Sequence, residues 1–381
     1  MTMRVIHILS GLFQGGAESQ LEKLIYFSKN KNIEHIIISL KSDETPLMTR
    51  LMACNIKVHT LGFSSVFSSI AGVVELRKIL KELSGNDTVI QCWMYHANLV
   101  GLLVAKSLGL SKKVVWNIRR TELPKGLTGL LATFSAKLSH FIPVKIVCCA
   151  EAAKKSHLAA GYCAENMVVI HNGIDVTLFR PSSKNRANFR HEVAVTENVF
   201  VIGMVGRYTP IKGHLCLLQA FEKLLIEYKK NIAPQVNIKL VLVGRDIENA
   251  EPLQSLLNNT LVKESLILLA ERADIAKVMT GFDLLCLPSL SEGFPNVVAE
   301  AMASGTPALV TDVGDAAIIV GDDLMVIPSN ATIQMAAKLA MLVSQNKQER
   351  VLLAENVRAR IVTNFSITQA WKNYYQLYRN L

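Results

Sequence analysis

Short apolar runs alternate with amphipathic helical segments along this chain, and the alternation occurs twice. In the first half, helical segments such as 17–29, 70–83, 97–108 and 127–140 separate the runs. The strand-like runs themselves lie at 4–10, 34–40, 56–61, 87–93, 112–118, 144–150 and 167–172. Apolar strands separated by helices indicate a parallel sheet that helices cover on both faces.

The alternation resumes after the polar stretch 180–192, which we interpret as a linker or boundary loop because it is dense in Ser, Asn and charge. Strand-like runs follow at 199–206, 238–244, 283–289 and 306–312, and helical stretches at 213–230, 250–262, 272–280 and 295–304. The pattern predicts an α/β fold with two doubly wound domains in tandem. A length of 381 residues agrees with this, since a domain typically has about 150 residues. The final segment, 367–381, is predicted to form an aromatic-rich amphipathic helix.

Composition excludes several classes of protein. Seven dispersed cysteines without a C-x-x-C pair argue against a disulfide framework and a zinc site, and for a reducing cytosol. The start, MTMRVIHILSG, is too short for a signal peptide, so we expect no secretion. The 18 residues 88–105 carry no formal charge, but they begin with a strand-like run and include Gln91, His96 and Asn98. They predict a buried strand and helix rather than a membrane span.

The net charge of +10 lies entirely in the first half of the chain. Residues 1–185 contain 22 Lys and Arg against 12 Asp and Glu, whereas residues 186–381 contain 19 of each. This asymmetry predicts that the first half faces an anionic partner, for which lipid, phosphorylated substrate and nucleic acid are candidates. Nucleic acid is the weakest candidate, because aromatic residues make up only 6% and no basic stripe is interleaved with them.

Two glycine-containing loops follow predicted strands and precede helices. In the first, Gly15 and Gly16 would let backbone N–H groups approach a phosphate at a helix N-terminus, although a tight turn explains the same residues. In the second, Arg207 and Lys212 are flanked by Gly206 and Gly213. Two such cations suit a diphosphate. Solvated surface charges are the alternative, but ligands of doubly wound folds bind at the carboxyl ends of strands.

The most specific pattern is SEGFPNVVAEAMA at 291–303, in which Glu292 and Glu300 flank a Gly-Phe-Pro turn that begins a helix. Glu300 lies about two turns into that helix on an otherwise apolar face. Burying a carboxylate there is costly unless it binds something, and ribose hydroxyls are suitable. The backbone N–H groups from Phe294 to Val297 would donate to an anion. A structural salt bridge is the alternative explanation.

Together these motifs resemble the retaining glycosyltransferases of family 4, which have the two-domain GT-B fold with a cleft between two Rossmann-like domains. The resemblance covers essentially the whole chain. Its main motifs are G-G-A-E at 15–18, G-R-x4-K-G at 206–213 and E-x7-E at 292–300. Further matches are N-G-I-D at 172–175, F-R-P at 179–181, V-G-R at 243–245 and Asp283. The segment 91–98, QCWMYHAN, resembles the branch that builds bacterial O-antigen and capsular polysaccharides.

The resemblance implies a role for each matched residue. Arg207 and Lys212 would stabilise the leaving diphosphate of a nucleotide sugar, with help from the amide of Gly16. Glu292 would grip the donor, and His96 would contact the donor sugar, although on its own His96 could equally be a core histidine. The other implied substrate-binding residues are Gly15, Asn172, Gly244, Arg245, Arg272, Gly293, Phe294, Pro295, Asn296 and Glu300, the last of which would hold the ribose.

The resemblance also predicts the domain plan. Residues 1–180, with the helix 367–381 packed back on them, would bind the acceptor, and 181–366 would bind the nucleotide sugar. Arg119 and Arg120 would either meet an anionic acceptor or form a solvated pair. Leu127, Leu130, Leu131 and Phe134, spaced as on one helix beside Lys125 and Lys137, are either core residues or part of a membrane-binding surface.

The expected activity is retaining transfer of a sugar from a nucleotide diphosphate sugar, with UDP favoured, to a lipid-linked glycan in surface polysaccharide synthesis. No cofactor is expected, because the sequence has no Asp-x-Asp motif and no clustered His or Cys. We expect the protein in the cytoplasm, peripheral at the inner membrane through anionic lipid. The alternatives are a GT-B sugar-nucleotide epimerase and a non-catalytic nucleotide-sugar or lipid-binding protein.

Overall fold

The chain divides into two compact units. The computed structural model describes residues 2–13, 15–42, 44–142, 145–231 and 237–381. Unit 1 comprises Met1–Gly173 and Ile367–Leu381, and unit 2 comprises Ile174–Ser366. The division falls before the predicted boundary at 180/181. The reason is that the Ile174 N–H already donates to the carbonyl of Phe365 at 2.8 Å, within unit 2.

Unit 1 contains a parallel sheet covered by helices. Its strands are β1 (Met3–Leu9), β2 (Ile33–Ser39), β3 (Lys57–Thr60), β4 (Thr88–Trp93), β5 (Val114–Ile118), β6 (Lys145–Cys148) and β7 (Met167–Val169). Between them lie α1 (Gly16–Ser28), α2 (Pro46–Ala53), α3 (Val66–Leu83), α4 (Met94–Ser107), α5 (Gly126–Leu138) and α6 (Glu151–Ala159). The strand order is β3-β2-β1-β4-β5-β6-β7, so the chain changes direction across the sheet between β1 and β4.

Unit 2 repeats this plan. Its strands are β8 (Val199–Val205), β9 (Asn237–Val243), β10 (Leu266–Leu269), β11 (Leu284–Leu287), β12 (Ala308–Thr311) and β13 (Val326–Ile327), in the order β10-β9-β8-β11-β12-β13. Its helices are α7 (Ser183–Glu192), α8 (His214–Asn231), α9 (Gln254–Leu257), α10 (Thr260–Lys263), α11 (Ile275–Gly281), α12 (Asn296–Ala303), α13 (Ala316–Val320), α14 (Thr332–Ser344) and α15 (Lys347–Asn364). The change of direction lies between β8 and β11.

The last helix, α16 (Ile367–Arg379), belongs to unit 1. Its aromatic face is buried: Trp371 and Tyr374 join the core cluster that also holds Leu21 of α1 and Val5 of β1. An amphipathic helix buries such a face because each large apolar side chain removed from water contributes roughly 1.5–3 kcal/mol. This burial attaches the end of the chain to the first sheet.

The predicted α/β fold with two doubly wound sheets is confirmed, but several elements differ from the prediction. Residues 183–192 form α7 rather than a linker or boundary loop, because Ser182 caps the helix and Phe189 and Arg190 are buried within unit 2. Strands β10 and β13 were not predicted, and the expected helix at 250–262 is broken into short pieces. The strand expected at 144–150 is β6, and its first residue, Val144, lies outside the described residues.

The uncharged stretch 88–105 forms β4 and α4, as predicted. Across the part of the chain that the structure describes, no helix combines the length and the apolar character needed to cross a membrane.

Candidate functional site

Most of the predicted donor-site residues lie at one edge of the unit 2 sheet. All the strand pairs are parallel, so the loops that follow β8, β9, β10 and β11 meet at the carboxyl edge. Arg207 and Lys212 follow β8, whereas Glu292 follows β11. These two loops flank the point where strand order reverses, which is where open α/β sheets bind their ligands.

An ion pair joins the two loops. The Lys212 Nζ donates to Glu292 Oε1 at 2.7 Å, and the same oxygen accepts a hydrogen bond of 2.7 Å from the Ser289 hydroxyl. Sequence reasoning assigned Lys212 and Glu292 to the site but missed Ser289, although it ends the Leu-Pro-Ser run before Glu292. The structure therefore places one cation and one carboxylate face to face at the reversal point.

Close backbone packing explains two glycines of this edge. Gly213 has φ of 73°, and a Cβ built on it would lie 2.0 Å from the carbonyl oxygen of Pro288. A Cβ on Gly244 would lie 2.1 Å from the carbonyl oxygen of Gly206. Any side chain at either position would push the loops apart. These glycines hold the loops after β8, β9 and β11 in contact.

Arg207 is exposed, and no carboxylate of the described residues forms an ion pair with it. The turn from Gly293 to Pro295 leads into α12, which begins at Asn296. Phe294 and Pro295 are buried, and Glu300 is half-buried on α12. The arrangement offers an exposed cation and a helix N-terminus, two features that favour an anion.

Beyond β9 and β10 lies a cavity of about 370 Å³, lined in part by Gly244, Arg245, Leu268 and Glu271. Arg245 is exposed, with its Nε 3.7 Å from an oxygen of Asp246. Arg272, by contrast, is already paired: its guanidinium donates to Asp274 at 2.6 and 2.7 Å and contacts Glu192. Any ligand contact by the Arg272 side chain would compete with two carboxylates.

A larger cavity, about 780 Å³, lies at the opposite edge of the same sheet. It is lined in part by Arg186, Phe200, Asp283 and Arg350. Asp283 pairs there with Arg186 and Arg190 at 2.8 and 2.5 Å. We do not assign this cavity to the site, because it lies at the amino ends of the strands.

In unit 1, three predicted residues flank the reversal between β1 and β4. Gly15 precedes α1 and Gly16 begins it; both are exposed, and the neighbouring Gln14 lies outside the described residues. His96 is exposed in the first turn of α4, so the alternative of a core histidine does not hold. The first residue of this helix is strained, since the non-glycine residue Met94 has φ of 69°.

Arg119 is not a solvated residue. Its guanidinium donates to Asn172, lies 3.4 Å from the Tyr374 hydroxyl and is 5.7 Å from the Trp93 ring. The Asn117 amide donates to the same hydroxyl at 2.9 Å. Asn172, predicted to bind substrate, is thus a buried member of this network in unit 1, and its side-chain oxygen is engaged by Arg119.

The described residues contain no group of three or more His, Cys, Asp or Glu side chains placed to hold a metal ion.

Two family models match the chain, one in each unit. Residues 14–178 match the model described as Glycosyltransferase Family 4, and residues 185–360 match the one described as Glycosyl transferases group 1. The two ranges together span most of the sequence.

Several known proteins are similar to this chain. The capsular polysaccharide biosynthesis glycosyltransferase CapM of Staphylococcus aureus is 23% identical, with 92% of this chain and 97% of CapM covered. A UDP-Gal:alpha-D-GlcNAc-diphosphoundecaprenol alpha-1,3-galactosyltransferase of Escherichia coli is 30% identical, with 55% and 53% covered. The crystal structure of Anabaena Alr3699/HepE in complex with UDP has a TM-score of 0.85 at 20% identity, and both chains are fully covered.

Proposed function

Because this chain belongs to glycosyltransferase family 4 and has the GT-B fold, we propose that it transfers a sugar from a nucleotide diphosphate sugar to a lipid-linked glycan. The observation that carries the proposal is the group formed by Arg207, Lys212 and the N-terminus of α12 at the reversal point of unit 2. Two cations and a helix N-terminus at one sheet edge suit the diphosphate of a donor.

In this proposal the leaving diphosphate is the main target of stabilisation. Negative charge develops on the leaving oxygen as the glycosidic bond breaks, and a preorganised cation lowers the energy of that state. Arg207 would engage the oxygens through two N–H groups and Lys212 as a point charge. Glu292, Gly293 and the backbone up to Asn296 would contact the donor sugar and phosphates.

The nucleoside would lie on the neighbouring side of the same edge. The cavity beside Gly244 and Arg245 is within the usual size range of ligand pockets, about 300–1,000 Å³. Glu300 would accept hydrogen bonds from the ribose hydroxyls. In unit 1, Gly15, Gly16 and His96 would complete the donor contacts. Asn172 and Arg272 would contribute through the backbone or by exchanging partners, since their side chains are already engaged.

We propose UDP as the nucleotide and a polyprenyl-diphosphate-linked glycan of a bacterial surface polysaccharide as the acceptor. Support comes from the relatives: CapM is named for capsule synthesis, and the Escherichia coli relative is named for transfer from UDP-Gal to a diphosphoundecaprenol-linked sugar. HepE was crystallised with UDP. We further propose retention of anomeric configuration and no metal requirement, since Arg207 and Lys212 supply the positive charge that a metal would otherwise bring.

The proposal includes peripheral attachment to the cytoplasmic face of the inner membrane. Unit 1 holds 22 Lys and Arg against 11 Asp and Glu, and unit 2 holds 19 against 20. Leu127, Leu130 and Phe134 are exposed on α5, so most of the apolar stripe seen in the sequence is not core. A basic unit with exposed apolar side chains is suited to anionic lipid.

The test is a panel of nucleotide sugars incubated with vesicles that contain short polyprenyl-diphosphate-linked acceptors. We expect one UDP-sugar to yield UDP and an extended lipid-linked glycan with the donor's anomeric configuration, at the same rate with and without EDTA. Conversion of the donor into an epimeric nucleotide sugar without an acceptor would instead identify an epimerase. Binding without turnover of any donor would identify a non-catalytic protein.

A further inference from the structure

We infer that Ser289 is a positioning residue for transfer: its hydroxyl fixes the Glu292 carboxylate, which in turn holds the ammonium of Lys212 at the donor site. The inference rests on the proposed function, in which Lys212 faces the leaving diphosphate. Ser289 itself would not touch the donor. It is fully buried and lies in the same loop as Glu292.

The geometry at Glu292 carries this inference. One carboxylate oxygen, Oε1, accepts from both the Ser289 hydroxyl and the Lys212 ammonium, each at 2.7 Å. Hydrogen bonds to a charged acceptor are the strong ones. A glutamate held only by a flexible lysine would lose less rotamer freedom, since both side chains could move together. A second, buried donor therefore restricts where the carboxylate can lie.

Ser289 is itself held from both sides. The buried Thr311, at the end of β12, donates its hydroxyl to the Ser289 carbonyl at 2.5 Å. On the other side, the Leu290 N–H donates to the carbonyl of Ile211 at 2.7 Å. A continuous series of hydrogen bonds thus runs from β12 through Ser289 to the loop that carries Lys212. Because these bonds hold the backbone of Ser289 in place, its hydroxyl has a defined position from which to donate to Glu292.

A positioning role and a purely structural role predict different kinetics. If Ser289 only satisfies a half-buried carboxylate, its loss lowers stability and leaves turnover unchanged. If it positions Lys212, its loss leaves the ammonium less well placed when charge develops on the leaving oxygen. The ground-state donor still binds through its nucleoside, so the effect falls on kcat rather than on KM.

The test compares the single variants Ser289→Ala and Thr306→Val with the wild-type protein. Thr306 is a matched control, because it is a buried hydroxyl of unit 2 that donates to the Met279 carbonyl at 2.7 Å, away from the carboxyl edge. We expect Ser289→Ala to lower kcat for UDP release roughly tenfold, as loss of a hydrogen bond to a charged group would. KM for the donor should stay within about twofold. Thr306→Val should change neither constant by more than that factor.

Several outcomes would overturn the inference. They are an unchanged kcat in Ser289→Ala, a rise confined to KM, and an equal loss of kcat in Thr306→Val. If Ser289→Ala does not fold, Ser289→Cys replaces it and should also lower kcat, because a thiol is a weak donor. Wild-type protein that releases no UDP from any donor would instead refute the proposed function, and the inference with it. If the wild-type protein turns over a donor and Ser289→Ala is equally active, the inference is refuted but the proposed function is not.

Discussion

Among single residues, the cations Arg207 and Lys212 matter most for the proposed transfer. Arg207→Ala and Lys212→Ala should each lower kcat/KM for transfer by about 10²–10³-fold, the typical effect of removing one preorganised group that stabilises developing charge. Circular dichroism should show that both variants keep the native fold, because neither side chain belongs to a core. Lys263→Ala, which removes an exposed lysine of the same unit, is the control and should keep wild-type activity. Full activity in both site variants would remove these residues from the mechanism.

The sequence predicted that Arg207, Lys212 and Glu292 lie at one edge of the sheet, because their motifs follow strands and a parallel sheet brings such loops together. It could not predict how side chains are already engaged. Arg272 and Asn172 match the family pattern, but the structure places their side chains in an ion-pair group and a buried network. Ser289, by contrast, was not predicted although it contacts Glu292. A single serine has no periodicity or charge that distinguishes it from a turn residue.

At the scale of elements, α7 shows why a polar stretch was mistaken for a linker. Its mean composition is polar, but Arg190 is buried and donates to the carbonyls of Gly281, Thr196 and Val199 as well as to Asp283. Composition alone treats such an arginine as solvated. Strand β10 was missed for a related reason, since its four residues are too few for a periodic pattern.

The same helix yields a stability prediction. Arg190→Ala should lower the free energy of unfolding by about 3–5 kcal/mol, because it removes a buried guanidinium that is ion-paired to the half-buried carboxylate of Asp283. Lys184→Ala, an exposed position of α7, should change it by less than about 0.5 kcal/mol. Urea unfolding monitored by circular dichroism measures both. If Arg190→Ala lowers the free energy of unfolding as little as the control does, α7 does not depend on the Arg190–Asp283 ion pair.

The helices α3 and α5 are the elements that we expect to contact the membrane. Both follow strands of the parallel sheet, so their first turns lie at its carboxyl edge, where Phe67 is 84% exposed and Leu127 is 73% exposed. Phe67→Ser combined with Leu127→Ser should weaken binding to anionic vesicles, since each substitution removes apolar side-chain area that would enter the interface. Leu352→Ser, at an exposed position of unit 2, should have no effect.

Co-sedimentation with vesicles over a salt series measures this binding. Attraction by basic residues, at about 1 kcal/mol each near the surface, should weaken as salt rises. Equal binding to neutral and anionic vesicles would contradict the charge argument. Wild-type binding by the double variant would show that these two helices are not the contact surface.

At the scale of the whole molecule, buried histidines set the dependence of stability on pH. Burial, with a further contribution from His35, holds the pKa of His7 well below its usual value, and burial lowers the pKa of His35 to about 4. The two rings are hydrogen-bonded at 3.0 Å, and the Trp93 N–H donates to His7 at 3.3 Å. Burial also lowers the pKa of His214, in unit 2, to about 4. These groups are therefore neutral in the folded protein at neutral pH.

The sign of the pH effect follows from this. Between about pH 4 and 6.5 the unfolded chain binds protons on these histidines and the folded chain does not, so stability falls as pH decreases through that range. The urea midpoint should be constant above about pH 7 and decline towards pH 5. His35→Asn should reduce the decline, even if it lowers stability at all pH values. A midpoint that rises on acidification would contradict the assignment.

A crystal structure with UDP bound would show directly where the diphosphate of the donor lies. We predict that the diphosphate lies at the carboxyl edge of the unit 2 sheet, with its oxygens within hydrogen-bond distance of Arg207 and of Lys212, and that uracil lies towards the cavity beside Gly244 and Arg245. A diphosphate in the larger cavity at the opposite edge, near Arg186 and Arg350, would contradict the account. So would UDP bound with both cations out of contact.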